Sequence, residues 1–496
     1  MPKTLLALWL SLFTITLHAQ AELKGLTDPA VDKTLKNFGL KKENLFYSFI
    51  PIGKKETLKE SAHEENHQSL SSFVPASLTK IFTALYALKK LGPDFRFETQ
   101  VLIKGKIEQG ILKGDLILKG GGDPSLTMAR LMDMVLEVRK LGITKVEGSL
   151  IYDDSLFKPK RMLSEFGAGD QSYNPGMSAL NLEFNRITLF RKSKDNYVAI
   201  PPLPHQRITT TQVPFNINQR FHSSNEDNNQ EVWQLNKKIR YRQKEDIPVR
   251  EVSKNTAESF RYLLSLWNIE TPTSRNGFTP KESKIVAINH SINLVNLLAL
   301  TLEYSNNLYA EQILLSSSGK STLSQAAKDL SQWLKESTPS CDLPLKNGSG
   351  LTTEHLITAR CLSEFLSTHA FSTSDHPASR GFMSLLSING ISGWMKNRLD
   401  KPTTGLKVWA KTGNLDYISN VAGVLFADSG QAYAFTMALN DKEKRGIIDD
   451  AHGKKPKELP MAKRIQIDKT QKGATRWTRK AKEATDKLLE HFIQTL

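Results

Sequence analysis

Phe73-Val74-Pro75-Ala76-Ser77-Leu78-Thr79-Lys80 leads into a helical pattern that runs to about Leu91 and stops at Gly92-Pro93. A serine and a lysine three positions apart share one face of a helix, so hydroxyl and amine can meet. A serine hydroxyl is a weak nucleophile until a neighbouring base takes its proton, and a lysine becomes such a base when burial and nearby positive charge lower its pKa. The helix start adds free N–H groups and a dipole that favour a developing oxyanion. Alone the spacing is commonplace, and Ser77 reads equally well as an N-cap. The rest of the chain has to decide.

Two further elements decide it. Ser305-Asn306-Asn307 opens a second helix, NNLYAEQILL, and Lys411-Thr412-Gly413 ends a strand pattern, GLKVWAKTG. Serine-x-x-lysine, a serine-x-asparagine loop and lysine-threonine-glycine, in that order, are the signature set of penicillin-binding proteins and class A β-lactamases. The chemical roles interlock. Ser77 attacks a carbonyl and Lys80 is its base. Ser305 relays a proton to the leaving amine, and Asn307 positions Lys80 and a substrate amide. Lys411 offers a cation and Thr412 a hydroxyl to a terminal carboxylate. Gly413 lets the strand come close to a ligand. The backbone N–H groups of Ser77 and Asn414 would form the oxyanion hole.

On these residues, with Gly120-Gly121-Gly122-Asp123-Pro124, Asp153-x-Ser155-x-Phe157 and Gly348-Ser349-Gly350-Leu351, nearly the whole mature chain resembles the class C low-molecular-mass penicillin-binding proteins, the D-alanyl-D-alanine carboxypeptidase/endopeptidase family. The resemblance implies an α/β (α+β) fold of the serine β-lactamase/DD-peptidase type: a mostly antiparallel sheet flanked by helices, with a large, mainly β insertion between the first two motifs. It also implies an acyl-enzyme on Ser77, action on D-alanyl peptides of peptidoglycan, covalent inhibition by β-lactam antibiotics, and recognition of a substrate side-chain amine by Asp153. Asn347 departs from the family pattern, which has an aspartate before Gly-Ser-Gly. The alternatives are a β-lactamase or esterase on the same scaffold, distinguished by fast deacylation, and a non-catalytic wall-binding protein.

The organisation around the motifs fits this reading. Met1 to Ala21 combines a basic start, an apolar run from Leu5 to Leu17 and an Ala19-Gln20-Ala21 cleavage pattern, which predicts a signal peptide, removal near Glu22 and a periplasmic protein. The chain has 496 residues, a length of about three domains, but the motif order predicts one catalytic domain, residues 22–92 and 280–496, interrupted by the insertion 93–279. In the insertion, short strand patterns at 99–107, 111–119, 148–152, 185–191 and 232–242 surround one helix, 126–141. Further helices are expected at 28–38, 290–302, 307–318, 324–336, 358–367 and 481–493, and strands at 44–52, 405–411, 418–426 and 431–439.

The net charge is +16, of which +9 lies between Lys442 and Lys482. That segment is poor in apolar residues and predicts a basic loop, 442–480. Outside the cytoplasm the charge does not point to nucleic acid. Its partners would be peptidoglycan carboxylates or, at most, peripheral membrane contact; the oligomeric state is open. Cys341 and Cys361 could pair in an oxidising compartment or stay as two buried thiols. His63-Glu64-Glu65-Asn66-His67 fits a zinc-protease pattern, but its flanks are polar and loop-like, so no metal is expected. Gly120–Gly122 lacks the lysine of a phosphate-binding loop and reads as a turn. The chemistry calls for no cofactor.

Overall fold

The computed structural model describes residues 28–53, 63–165, 170–193, 196–211, 221–224, 231–236, 244–371, 381–450 and 459–496. The expected signal peptide, the first part of the 54–72 loop, the loop 225–229 and part of the basic segment fall outside these residues.

The catalytic domain begins with α1 (Pro29–Phe38), which Asp28 caps through Ala30 N–H at 2.8 Å and Gly39 ends in the left-handed conformation. Strand β1 (Leu45–Pro51) pairs with a short edge strand, β2 (Glu65–His67). The histidine-rich segment expected as a loop therefore ends in a strand. Its Glu64 pairs with Arg360, and no metal-binding group of residues occurs among the described residues. After a 3-10 turn at Ala76–Leu78 comes α2 (Thr79–Leu91), buried on nearly all sides.

The insertion contains two long strands, β3 (Glu98–Glu108) and β4 (Ile111–Gly120), joined by a two-residue turn at Gln109-Gly110 with positive φ at both positions. Then follow α3 (Met128–Lys140), β5 (Leu150–Asp153), β6 (Arg186–Ser193), β7 (Asn196–Ile200), β8 (Gln206–Thr211), β9 (Phe221–Ser224), β10 (Glu231–Asn236) and β11 (Lys244–Pro248). A second helix, α4 (Val252–Leu266), precedes β12 (Ser274–Asn276) and β13 (Lys284–His290). Sequence reading finds α3 but misses α4, because α4 buries polar residues, Ser253, Asn255, Thr256, Glu258 and Ser259, and so blurs its apolar stripe. The larger sheet of the insertion runs β12-β5-β4-β3-β13, and two three-stranded sheets, β11-β6-β7 and β8-β10-β9, complete it. Strand β13 pairs with β3, so this sheet extends to His290, past the expected boundary at 279.

Helices α5 (Leu294–Glu303), α6 (Asn307–Ser318), α7 (Leu323–Ser337) and α8 (Ala359–Phe365) return the chain to the catalytic domain. Strands β14 (Ser387–Ile388), β15 (Val408–Leu415), β16 (Ile418–Phe426) and β17 (Ala432–Asn440) then build the main sheet, β14-β15-β16-β17-β1-β2, antiparallel throughout. Alternation along the strands divides its faces. Phe46, Ala434 and Ala438 face α2 and α5–α8, whereas Phe49, Phe435 and Met437 face α1 and the C-terminal helix. On that second face Phe492 lies 4.6 Å from Phe49, ring centre to ring centre, so removing its ring would cost about 3–5 kcal/mol. Cys341 and Cys361 form a disulfide between the end of α7 and α8.

The basic segment is not the expected loop. Its described parts are α9 (Lys442–Asp449) and the first half of α10 (Met461–Thr495), a helix of 35 residues. Lys, Arg, Gln and Ala are good helix formers, and the few buried residues of this half, Ile467, Ala474 and Trp477, continue the stripe that Ala481, Leu488 and Phe492 lay on the sheet. Among the described residues no helix is long and apolar enough to cross a membrane.

Candidate active site

The turn before Ser77 is held by residues distant in sequence. Val74 N–H donates to Asn440 Oδ1 at 3.0 Å, and Asn420 Nδ2 donates to the carbonyls of Val74 and Pro75 at 2.9 and 3.0 Å. Asn440 Nδ2 donates to Asn420 Oδ1, which fixes both amides. Ala76 then takes φ +48, a left-handed conformation that alanine avoids. Two contacts hold it there. Thr79 Oγ1 donates to Ala76 O, and His355 Nδ1 lies 3.2 Å from Thr79 Oγ1. His355 Nε2 accepts from Lys346 N–H, so Nδ1 carries the ring proton and donates to the threonine. Burial, and then the nearby Lys346 charge, push the pKa of His355 down to about 3, which keeps it neutral. Gly350, at φ +74, packs so closely on this turn that a β-carbon would stand 1.9 Å from Ala76 O.

One helical turn on, Lys80 is fully buried. Its three N–H bonds have three acceptors: Ser77 Oγ at 3.0 Å, Asn307 Oδ1 at 2.7 Å and Ser349 O at 2.7 Å. Burial lowers its pKa to about 7, with the Glu311 charge opposing the shift. When Lys80 is neutral, the 3.0 Å contact can run the other way, from hydroxyl to amine, which is the state in which Lys80 is a base. Glu311 itself is buried on α6. Its two oxygens accept the N–H groups of Gly348 and Ser349, holding the loop whose Ser349 carbonyl orients Lys80. Burial pushes the Glu311 pKa up, and the Ser349 hydroxyl, these N–H bonds and then Lys80 pull it part of the way back. Asn347 accepts from Gly350 N–H at 2.9 Å, a loop-closing contact that an aspartate would make equally well.

Opposite this helix lies β15. Strand β14 pairs with it only at Trp409 and Ala410, so no described strand covers that edge from Lys411 onward. A β-carbon on Gly413 would stand 2.5 Å from Pro75 O, so glycine lets the strand lie against the Ser77 turn. Lys411 is buried, and its Nζ donates to Ser305 Oγ at 3.0 Å and to Thr412 O at 2.6 Å. Burial, reinforced by the Lys80 charge, holds its pKa well below the usual lysine value. Ser305 has φ +57 in the short bend between α5 and α6. Asn306 caps α6 through Tyr309 N–H, which aims Asn307 back at Lys80. Thr412 and Gly413 are buried on β15 and Asn414 is half-buried beside them. Ser77, Lys80 and Asn307 thus form one bonded chain, and Lys411 with Ser305 a second.

Asp153 stands outside both chains. Its carboxylate accepts from Ser155 N–H and Oγ–H and from Thr279 N–H and Oγ–H. Burial alone would raise its pKa, but these four bonds outweigh it and hold the carboxyl below the usual value. The geometry gives Asp153 a structural part: it ties the end of β5 to the segment before β13. Sequence reading misses Glu311, His355, Asn420 and Asn440. Only Glu311 leaves a signal, the one acidic residue of a helix rich in apolar side chains.

This fold and site define the serine-type acyl-transfer enzymes built on a helix-flanked antiparallel sheet. The chain belongs to the D-Ala-D-Ala carboxypeptidase 3 (S13) family, whose profile it matches over residues 55–456. It is 27% identical over 405 residues to the D-alanyl-D-alanine carboxypeptidase DacB of Haemophilus influenzae, covering 74% of this chain and 80% of that protein. To carboxypeptidase Rv3627c of Mycobacterium tuberculosis it is 24% identical over 395 residues, covering 75% and 72%. Its fold is similar to that of penicillin binding protein 4 (dacB) from H. influenzae, with a TM-score of 0.68, 21% identity and coverage of 89% and 98%. The same H. influenzae protein has also been solved in complex with a β-lactam (TM-score 0.65, 20% identity, coverage 90% and 99%). The chain is a serine-type D-alanyl-D-alanine peptidase.

Proposed function

We propose that Ser77 is the nucleophile of a periplasmic peptidase that acts on peptidoglycan stem peptides, removing a terminal D-alanine or cleaving a D-alanyl cross-link. The observation that carries the assignment is Lys80 Nζ, buried and bonded at once to Ser77 Oγ and Asn307 Oδ1. Neutral Lys80 takes the Ser77 proton while Oγ attacks the carbonyl of the penultimate D-alanine. Backbone N–H groups of Ser77 and Asn414 steady the resulting oxyanion. Lys411 and Thr412 receive the substrate's terminal carboxylate, and Ser305, bonded to Lys411, relays to the departing amine the proton that Lys80 took, which leaves Lys80 neutral again. The C–N bond breaks and leaves an ester on Ser77. Water, deprotonated by Lys80, then hydrolyses that ester and restores the serine.

A β-lactam presents a similar amide and carboxylate, so it acylates the same serine and leaves slowly. The cleavage pattern at Ala19-Gln20-Ala21 supports export, and the basic helices suit contact with an anionic envelope polymer. Intact-mass and peptide-mapping spectrometry after penicillin treatment should place one adduct on Ser77, with none in Ser77→Ala. An adduct on another residue would refute the assignment.

A further inference from the structure

Beside the Ser305–Asn307 bend, where the insertion meets α5 and α6, lies an open cleft of about 390 Å³. Its walls include Tyr173, Phe184 and Arg186 from the insertion and Leu300, Tyr304 and Ser305 from the catalytic domain. Ser305 therefore borders both the cavity and the Lys411 chain. Tyr173 O also accepts from Asn307 Nδ2 at 3.1 Å, so one wall is bonded to a catalytic side chain.

Arg186 is the cation of this cavity, and no acidic side chain lines it. Its Nε donates to Ser172 O at 3.0 Å, and among the described residues its Nη atoms have no hydrogen-bond partner. The nearby carboxylate, Asp246, sits one strand over, accepts from the Thr188 hydroxyl and reaches Arg186 through its charge without a hydrogen bond to it. A half-buried guanidinium with its fork free is a ready partner for a carboxylate, which it binds in bidentate fashion.

The delivery of these side chains is a second, independent observation. Glu183, Phe184 and Asn185, none of them glycine, have φ of +47, +57 and +52. Backbone held in this sparsely populated region clusters at ligand-binding sites. Here the surroundings enforce it. Asn185 is buried and bonded to Gly176 O, Asn181 Oδ1 and Leu182 N–H, and Glu183 accepts from Met128 N–H. The strained turn presents Phe184 flat against Tyr309 of α6, at 5.7 Å between ring centres and 14° between planes, and sets Arg186 as the next residue but one.

We propose that this cavity is a subsite for the peptide of the substrate, in which Arg186 grips a free carboxylate of the chain while Tyr173, Phe184, Leu300 and Tyr304 cover its apolar part. The inference rests on the peptidase reading above and gives the insertion a share in choosing the substrate. A subsite that pairs a half-buried cation with a carboxylate disfavours the neutral amide, which cannot answer that charge.

The test uses two synthetic peptides that end in D-alanyl-D-alanine and differ only in one internal carboxylate, free in the first and a carboxamide in the second. Release of D-alanine is followed with the full chain, and active sites in every preparation are counted by saturating penicillin labelling. The wild type should prefer the free carboxylate by roughly tenfold in kcat/KM. Arg186→Gln should bring that ratio close to one through a higher KM for the carboxylate peptide. Arg186→Lys, which keeps the charge without the fork, should fall between. A wild type that does not discriminate, or an Arg186→Gln variant that keeps the ratio or loses both substrates equally, overturns the subsite. No D-alanine release from either peptide by the wild type overturns the peptidase reading and the subsite with it.

Discussion

Glu311 gives the most direct handle on Lys80, the proposed base. Lys80 has a pKa of about 7, lowered by burial and held from falling further by the Glu311 charge. At such a value roughly one lysine in ten is neutral at pH 6 and about nine in ten at pH 8, so acylation should climb steeply across that interval. The groups that face Lys80 are Asn307 and Glu311 from α6, Ser349 from its loop and Lys411 from β15. Of these only Glu311 stabilises the ammonium by charge. Glu311→Gln removes that charge and makes protonation harder, so the lysine pKa falls. The loss of a nearby opposite charge is worth on the order of one unit. The rising limb should therefore move to lower pH, and acylation at pH 6 should go from about a tenth of its plateau to about half of it. The amide also replaces one of two acceptors with a donor, leaving the Gly348 or Ser349 N–H unsatisfied at a cost of about 1–3 kcal/mol. Thermal unfolding should be recorded first, and kinetics taken well below the new midpoint. The measurement is the stopped-flow rate of a fluorescent penicillin reacting with wild type and variant from pH 5 to 9. A limb that stays in place or moves to higher pH would refute the role given to Glu311.

Other expectations follow from the same geometry. Gly413→Ala would press a β-carbon on Pro75 O, and penicillin labelling should slow by at least tenfold with the fold retained by circular dichroism. Asn440→Ala leaves Val74 N–H and Asn420 Oδ1 without their partner, so unfolding in urea should show a loss of about 1–3 kcal/mol. Reducing Cys341–Cys361 opens a loop spanning 20 residues, and stability to denaturant should drop by about 3 kcal/mol relative to the oxidised protein. His355 titrates near 3 when folded and near its ordinary value when unfolded, so the unfolded chain binds the extra proton between these values. Its contribution is present above about pH 6.5 and is lost as pH falls toward 3. In His355→Gln the slope of stability against pH in that window should be smaller; an unchanged slope would argue against a buried neutral histidine.

The residues that meet at the candidate site are legible in the sequence because each motif fixes both residue type and local context: a helix start for Ser77 and Lys80, a helix-opening bend for Ser305 and Asn307, a strand for Lys411–Gly413. The residues that hold them are not legible. Asn440 meets Val74 across 366 positions, and an asparagine at the end of a strand carries no mark of such a contact. Helix α4 is hidden for a related reason: its buried face is polar, and its partners come from the tertiary fold. The basic segment misleads in the opposite direction. A sparse apolar stripe looks too weak to fold, but it continues a stripe that is already packed. The setting of Asp153 is equally hidden: two of its four hydrogen bonds come from Thr279, 126 positions away.

The clamp on the Ser77 turn also orders events in time. A chain is made from its N-terminus, so the serine at position 77 exists long before the two asparagines and the histidine that shape its turn. A chain that stops short of Asn420 carries every atom of Ser77 and Lys80 and still lacks both asparagines that hold Val74 and Pro75 in place. Reactivity is thus a late property of this polypeptide, gained when the last strand of the main sheet docks beside the first.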